Sequence, residues 1–231
     1  MKSIHLLFLL FPVVAQATQA EECVILLHGL AKSYHSMEKL EESLENEGYK
    51  IINYDYPSRS ASISALAETH IEAAIKRCPS SETIHFVTHS MGGILVRYYL
   101  KNNVIDKLGK VVMLGPPNQG SEIVDTFHNL PGYAWFGGPA STELGTQNNS
   151  IPPQLGKVNF EVGIVAGNRS LNPILSALLP SEDDGKVTVN RTKLVGMKDH
   201  ITMPVTHPFM MKNKQVIRQV KNFLVSGLFL H

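Results

Sequence analysis

Cysteine and tryptophan are scarce in this chain, two residues and one in 231, and neither sign of charge dominates, with a formal net charge of +1. No block of Lys and Arg occurs, nor any interleaving of basic and aromatic residues, so nothing favours nucleic acid or an acidic partner. No H-E-x-x-H or C-x-x-C is present, which removes the usual ligand spacings of a catalytic zinc, and no metal site is expected. Internal repeats and low-complexity tracts are lacking too. The longest apolar run, from Ile4 to Val14, is broken by His5 and Pro12. It falls short of the ~20 residues a membrane-spanning helix needs.

That run follows one lysine and precedes Ala15-Gln16-Ala17, the layout of a secretory signal peptide over residues 1–20, with cleavage expected after Ala17 or after Ala20. The length of residues 21–231 and the 43% hydrophobic content of the whole chain suit a single domain with a sizeable core. Export to the periplasm or medium means an oxidising compartment. Cys23 and Cys78 are then expected to form one disulfide, two free buried thiols being the alternative.

Along the mature chain, apolar runs alternate with amphipathic ones. Strands are expected at 23–29 (CVILLHG), 50–57 (KIINYDYP), 84–89, 110–117 (KVVMLGPP), 160–167 (FEVGIVAG) and, as a short last strand, 192–196 (TKLVG). Helices are expected at 37–49, 63–77, after residue 90, and at 213–227. Such alternation gives a mostly parallel sheet with helices on both faces. Between Gly120 and about Lys157 the periodicity fails in a stretch rich in Gly, Pro, Ser and Asn that carries Trp135. A long irregular segment inside a compact domain suggests a small or partial cap.

The stretch IHFVTHSMGG, residues 84–93, reads as strand, tight turn, helix, with Ser90 on the turn and Gly92 allowing close backbone approach. A serine lifted off a sheet edge in this way is a candidate nucleophile, in a variant of G-x-S-x-G where Thr88 replaces the first glycine. It needs a base to take its proton and an acid to orient that base. Loops at the carboxyl ends of parallel strands converge on one edge. Asp183 or Asp184 in SEDDGKVTV and His200 or His207 beyond the last strand are the candidates. The order Ser, Asp, His is that of α/β-hydrolases.

With LLHGL after the first strand, VTHSMGG at the turn, LGPPNQGSE and DDGKV in this order, the chain resembles the α/β-hydrolase superfamily over nearly all of 23–227. The likeness is to its small bacterial lipase and esterase branch and to lipase-like GPI-inositol deacylases. The resemblance implies Ser90 as nucleophile and Asp184, directly before Gly-x-Val, as the acid. It favours His207, just before the C-terminal helix, as the base, and Pro208 would steady its backbone. It also implies an oxyanion hole from the backbone N–H groups of Leu30 and Met91, a supporting role for His28, and no cofactor. Trp135 and Phe136 are expected to contribute an acyl-binding surface in the cap. The implied activity is cleavage of carboxylic esters of small molecules or lipids through an acyl-enzyme, with transient contact at a membrane surface. A thioesterase, amidase or acyltransferase with the same triad, and a hydrolase-fold binding protein without turnover, are the alternatives.

Overall fold

The strands of the sheet arise where β-branched and apolar residues run without interruption. In a computed structural model describing residues 22–79 and 82–231, β1 (Cys23–Leu27), β2 (Lys50–Tyr54), β3 (Ile84–His89), β4 (Leu108–Leu114), β5 (Val162–Gly167) and β6 (Asp199–Met203) pair in parallel in the order β2-β1-β3-β4-β5-β6. The expected signal segment and both cleavage points lie outside the described residues. Every residue of β1, β3 and β5 is buried, as continuous apolar strands covered on both faces should be.

Successive side chains point to opposite faces, and two separate cores follow from that. Cys23, Ile25 and Leu27 join Ile63, Leu66 and Ile71 of α2 (Ile63–Ile75) and Ile94 and Leu95 of α3 (Met91–Asn102) on one face. Val24 and Leu26 face Leu40 and Leu44 of α1 (Glu38–Glu45) and Val216, Val220 and Phe223 of α10 (Lys214–Ser226) on the other. α10 begins where Asn213 Oδ1 accepts from Gln215 N–H at 2.8 Å, a side-chain cap on otherwise unsatisfied donors.

Two expectations are corrected. Residues 192–196 are not a strand: Thr192 ends the short helix α9 (Val189–Thr192), and the last strand is β6, seven residues further on at Asp199. The segment 120–157 is also not structureless. It holds α4 (Glu122–Phe127), α5 (Tyr133–Gly137), α6 (Pro139–Thr142) and α7 (Ile151–Gln154), each too short to show helical periodicity. One further short helix, α8 (Pro173–Ser176), follows β5.

Because β1 lies between β2 and β3, the chain leaves the sheet centre in one direction after β1 and in the other after β3. The loops following these two strands therefore open a crevice at their carboxyl ends, the place where open parallel sheets bind ligands.

Cys23 and Cys78 are joined by a disulfide across 55 residues, tying the first strand to the chain leaving α2. For a loop of that length the chain-entropy account gives about 4 kcal/mol. Urea unfolding with and without reductant should show a loss of up to that size, matched by the Cys23→Ser/Cys78→Ser double variant. Two titratable thiols in the denatured, unreduced protein would contradict the pairing.

Candidate active site

Ser90 adopts φ 52° and ψ −121°, left-handed backbone that a side chain occupies only under constraint. Its N–H donates to the Leu114 carbonyl of β4 at 2.9 Å, and its own carbonyl accepts from Gly93 N–H at 3.1 Å. The turn closes only because neighbours are small. A Cβ on Gly92 would stand 2.8 Å from the Leu27 carbonyl oxygen, and one on Gly29 would stand 3.1 Å from Ser90 Cβ. The departure at Thr88 is accommodated from the helix side, since Gly93 presents no Cβ where one would lie 3.1 Å from Thr88 Oγ1.

Ser90 Oγ lies 3.0 Å from His207 Nε2, and His207 Nδ1 lies 2.7 Å from Asp184 Oδ2. Asp184 is buried, and its other oxygen accepts from Lys186 N–H at 3.0 Å and Val187 N–H at 2.9 Å. His207 is held by backbone at both ends: its N–H donates to the Asp184 carbonyl at 2.9 Å, and its carbonyl accepts from His89 Nε2 at 3.0 Å. Space for the pair comes from Gly115 at the end of β4, where a Cβ would fall 2.9 Å from Asp184 Oδ2 and 3.1 Å from His207 Nδ1.

The other candidates sit elsewhere. Asp183 accepts from Ser176 Oγ and from Gly185 N–H, so it fixes α8 instead of His207. His200 lies within β6, its Nε2 2.9 Å from Thr192 Oγ1. Position in the strand keeps it from the serine.

The loop after β1 is fastened from below. His28 is buried and stacked on Tyr56 with ring centroids 4.2 Å apart. Its Nδ1–H donates to the Gly29 carbonyl at 2.9 Å, and the Tyr56 hydroxyl donates to the His28 carbonyl at 2.6 Å. Ala31 N–H reaches Ser58 Oγ at 3.0 Å. Leu30 thus stands beside Ser90, and Met91 is the first residue of α3, where an N–H has no partner within its own helix. Among the described residues neither the Leu30 nor the Met91 N–H donates to a loop or turn carbonyl.

A cavity of about 410 Å³ opens onto Ser90 and His207, walled by Leu30, Ile123, Tyr133, Leu144, Leu171 and Leu175. Trp135 and Phe136 are not in that wall. They are 81% and 67% exposed and line an adjoining cleft with Ala31, Lys32 and Arg59. On the five-residue helix α5 it is Tyr133 that turns towards the serine. Leu171 and Leu175, around α8, were not singled out by the sequence, and neither were Gly115 and His89.

Residues 22–138, just over half of the chain, match the alpha/beta hydrolase fold family. The chain belongs to that family. The match covers the turn at Ser90 and the loop after β1, while Asp184 and His207 lie beyond it and stand on geometry. Among solved structures, the chain is similar to the mature form of lipase BlEst2 from Bacillus licheniformis, 20% identical over 89% of this chain and 92% of that one, with a TM-score of 0.67. It is similar also to phospholipase PlaB from Legionella pneumophila, 18% identical over 76% of this chain and 45% of that one, with a TM-score of 0.61. The product of the gene lin2722 from Listeria innocua gives 18%, 89%, 94% and 0.56 for the same measures. At these identities the likeness is one of fold. No curated protein matches in sequence.

Burial holds five imidazoles, those of His28, His70, His85, His89 and His200, below the ordinary histidine range, His89 furthest. Lowered native values mean that the unfolded chain binds more protons below about pH 6.5, so stability is full above that pH and is lost as pH falls through it. Melting temperature should therefore drop between pH 7 and pH 5. His89→Gln, which keeps an N–H donor but cannot titrate, should shallow that drop, and an unchanged slope would refute the assignment.

Proposed function

We propose that the protein is an exported serine hydrolase of carboxylic esters, with acyl lipids or similarly apolar esters as substrates. The observation that carries this reading is the unbroken contact from Ser90 Oγ through His207 to Asp184 at the mouth of an apolar cavity. Ser90 attacks the ester carbonyl carbon as His207 Nε2 takes its proton. Asp184 holds the imidazole in the tautomer with its proton on Nδ1 and stabilises the imidazolium that forms. Charge developing on the carbonyl oxygen is met by the Leu30 and Met91 N–H groups, worth about 3–4 kcal/mol per donor in a preorganised site. The tetrahedral intermediate expels the alcohol, which receives the proton from His207, and water hydrolyses the acyl-enzyme by the same path.

An acyl chain fits the wall formed by Ile123, Leu144, Leu171 and Leu175. Exposed Trp135, Phe136 and Ile174 on the short helices α5 and α8 supply an apolar rim suited to transient contact with a lipid surface. The disulfide is consistent with export.

A fluorophosphonate probe should label Ser90, and an ester panel from acetate to long acyl chains should be turned over. Ser90→Ala and His207→Ala should each lower kcat/KM by about 10³-fold or more, whereas His200→Ala should keep most of it. Folded wild-type protein that neither labels nor hydrolyses any ester would favour a binding role. Loss with His200→Ala and retention with His207→Ala would overturn the base assignment.

A further inference from the structure

The wall of the serine's cavity is apolar, but its rim is cationic. Lys32 and Lys186 both line it and both are exposed. The only carboxylate in the lining is Asp184, already engaged by His207 and two backbone N–H groups. Lys32 belongs equally to the adjoining cleft of about 950 Å³, where Arg59 supplies a further positive charge. Among the described residues no carboxylate forms an ion pair with Lys32, Lys186 or Arg59.

One acid, Asp55, does line that cleft. Its Oδ1 accepts from Tyr34 N–H at 3.1 Å and lies 3.1 Å from His28 Nε2, so it braces the loop after β1. The two lysines at the cavity rim and Arg59 in the adjoining cleft have no carboxylate partner among the described residues, on a chain whose net charge is only +1. The positive field is therefore local and not a reflection of overall basicity. Its reach extends to the strand leading into Ser90: burial is the main cause that lowers the pKa of the His89 imidazole, and the Lys32 charge adds to it. Two exposed lysines without a carboxylate partner stand at the mouth of an apolar cavity, and Arg59, whose Nη1 donates to the Phe136 carbonyl at 3.3 Å, stands in the cleft beside it.

We propose that the alcohol side of the ester carries a phosphate: the acyl chain enters the apolar cavity beside Ser90, and the phosphate rests on Lys32 at the wall shared with the cleft, with Arg59 as its second cation. Arginine and lysine donors suit an anion with several oxygens. The geometry also orders the substrate along its length, with chain, scissile ester and phosphate following cavity, Ser90 and cleft. This rests on the ester-hydrolase reading of Ser90.

The test compares a monoacylglycerol with the acylglycerol phosphate of the same chain, both as monomers below micelle formation, with fluorophosphonate labelling as a separate arm. Wild type should favour the phosphate-bearing ester by about tenfold or more in kcat/KM, through KM, as charge-assisted contacts allow. Raising ionic strength should shrink the preference. Lys32→Glu should abolish or invert it, Arg59→Gln should reduce it, and Lys32→Arg should preserve it. Equal turnover of the two esters by wild type, or an unchanged ratio in Lys32→Glu, overturns the phosphate assignment while leaving a labelled, active Ser90 intact. An unlabelled Ser90 with neither ester cleaved sinks the hydrolase reading itself.

Discussion

The backbone of Ser90 is held at a positive φ that costs on the order of 1–3 kcal/mol for a residue with a side chain, and much of the surrounding structure exists to keep it there. Three backbone segments converge on the turn. β4 accepts its N–H through Leu114, and α3 closes on its carbonyl through Gly93. The carbonyls of Leu27 and His28 at the end of β1 pass so near that only glycine fits at position 92. The last contact depends on β1 and β3 being neighbours in register, Leu27 beside Thr88. Sheet order thus acts directly on the chemistry. A strand inserted between β1 and β3 would separate Leu30 from Ser90.

The same crowding sets Asp184 and His207. His207 and Asp184 arrive on loops after β6 and β5, and they meet above the end of β4, where Gly115 leaves the gap they fill. A buried carboxylate is stable there because every oxygen has a donor. Consecutive aspartates divide the labour by pointing apart: Asp184 takes the imidazole, and Asp183 takes the Ser176 hydroxyl and so steadies the side of the cavity built by α8. The tie from Asp183 to α8 makes that cavity wall an extension of the acid loop.

Much of this was legible in the sequence wherever burial on both faces writes itself as an apolar run. β1, β3, β4 and β5 read out directly, as did the turn at Ser90 and the helix at 213–227. β6 did not. It is an edge strand with residues mostly half-buried, so Asp199-His-Ile-Thr-Met carries little apolar signal, while the more apolar Lys193-Leu-Val is a connection in which Leu194 is buried and Val195 exposed. A strand at 192–196 places both histidines after it, whereas β6 takes His200 into the sheet. The side of α5 facing the serine was illegible for a different reason. Five residues make little more than one turn, so periodicity gives no face, and Tyr133 took the place expected of Trp135 and Phe136.

A buried cation is one of the points that join the four-helix insertion to this frame. Arg97, on α3 about two turns beyond Ser90, donates through Nη1 to the Asn118 carbonyl at 2.8 Å and through Nη2 to the Gly156 carbonyl at 2.8 Å. Those two carbonyls flank the insertion, one just before it and one at its end. Among the described residues no carboxylate pairs with the guanidinium, and burial, which disfavours the charge, pushes its pKa down to about 10. A charge so placed is tolerated for what it fastens: Asn118 in turn donates from Nδ2 to the Thr192 carbonyl at 2.8 Å. The roots of the insertion, the helix behind Ser90 and the chain leading to β6 are thereby drawn to one point. Within the insertion, Glu143 accepts from the Ile63 N–H at 2.7 Å at the head of α2, and Glu122 pairs with Arg191 of α9 at 2.8 Å, so the cavity wall it builds is fixed to the same frame that carries the Ser90 turn.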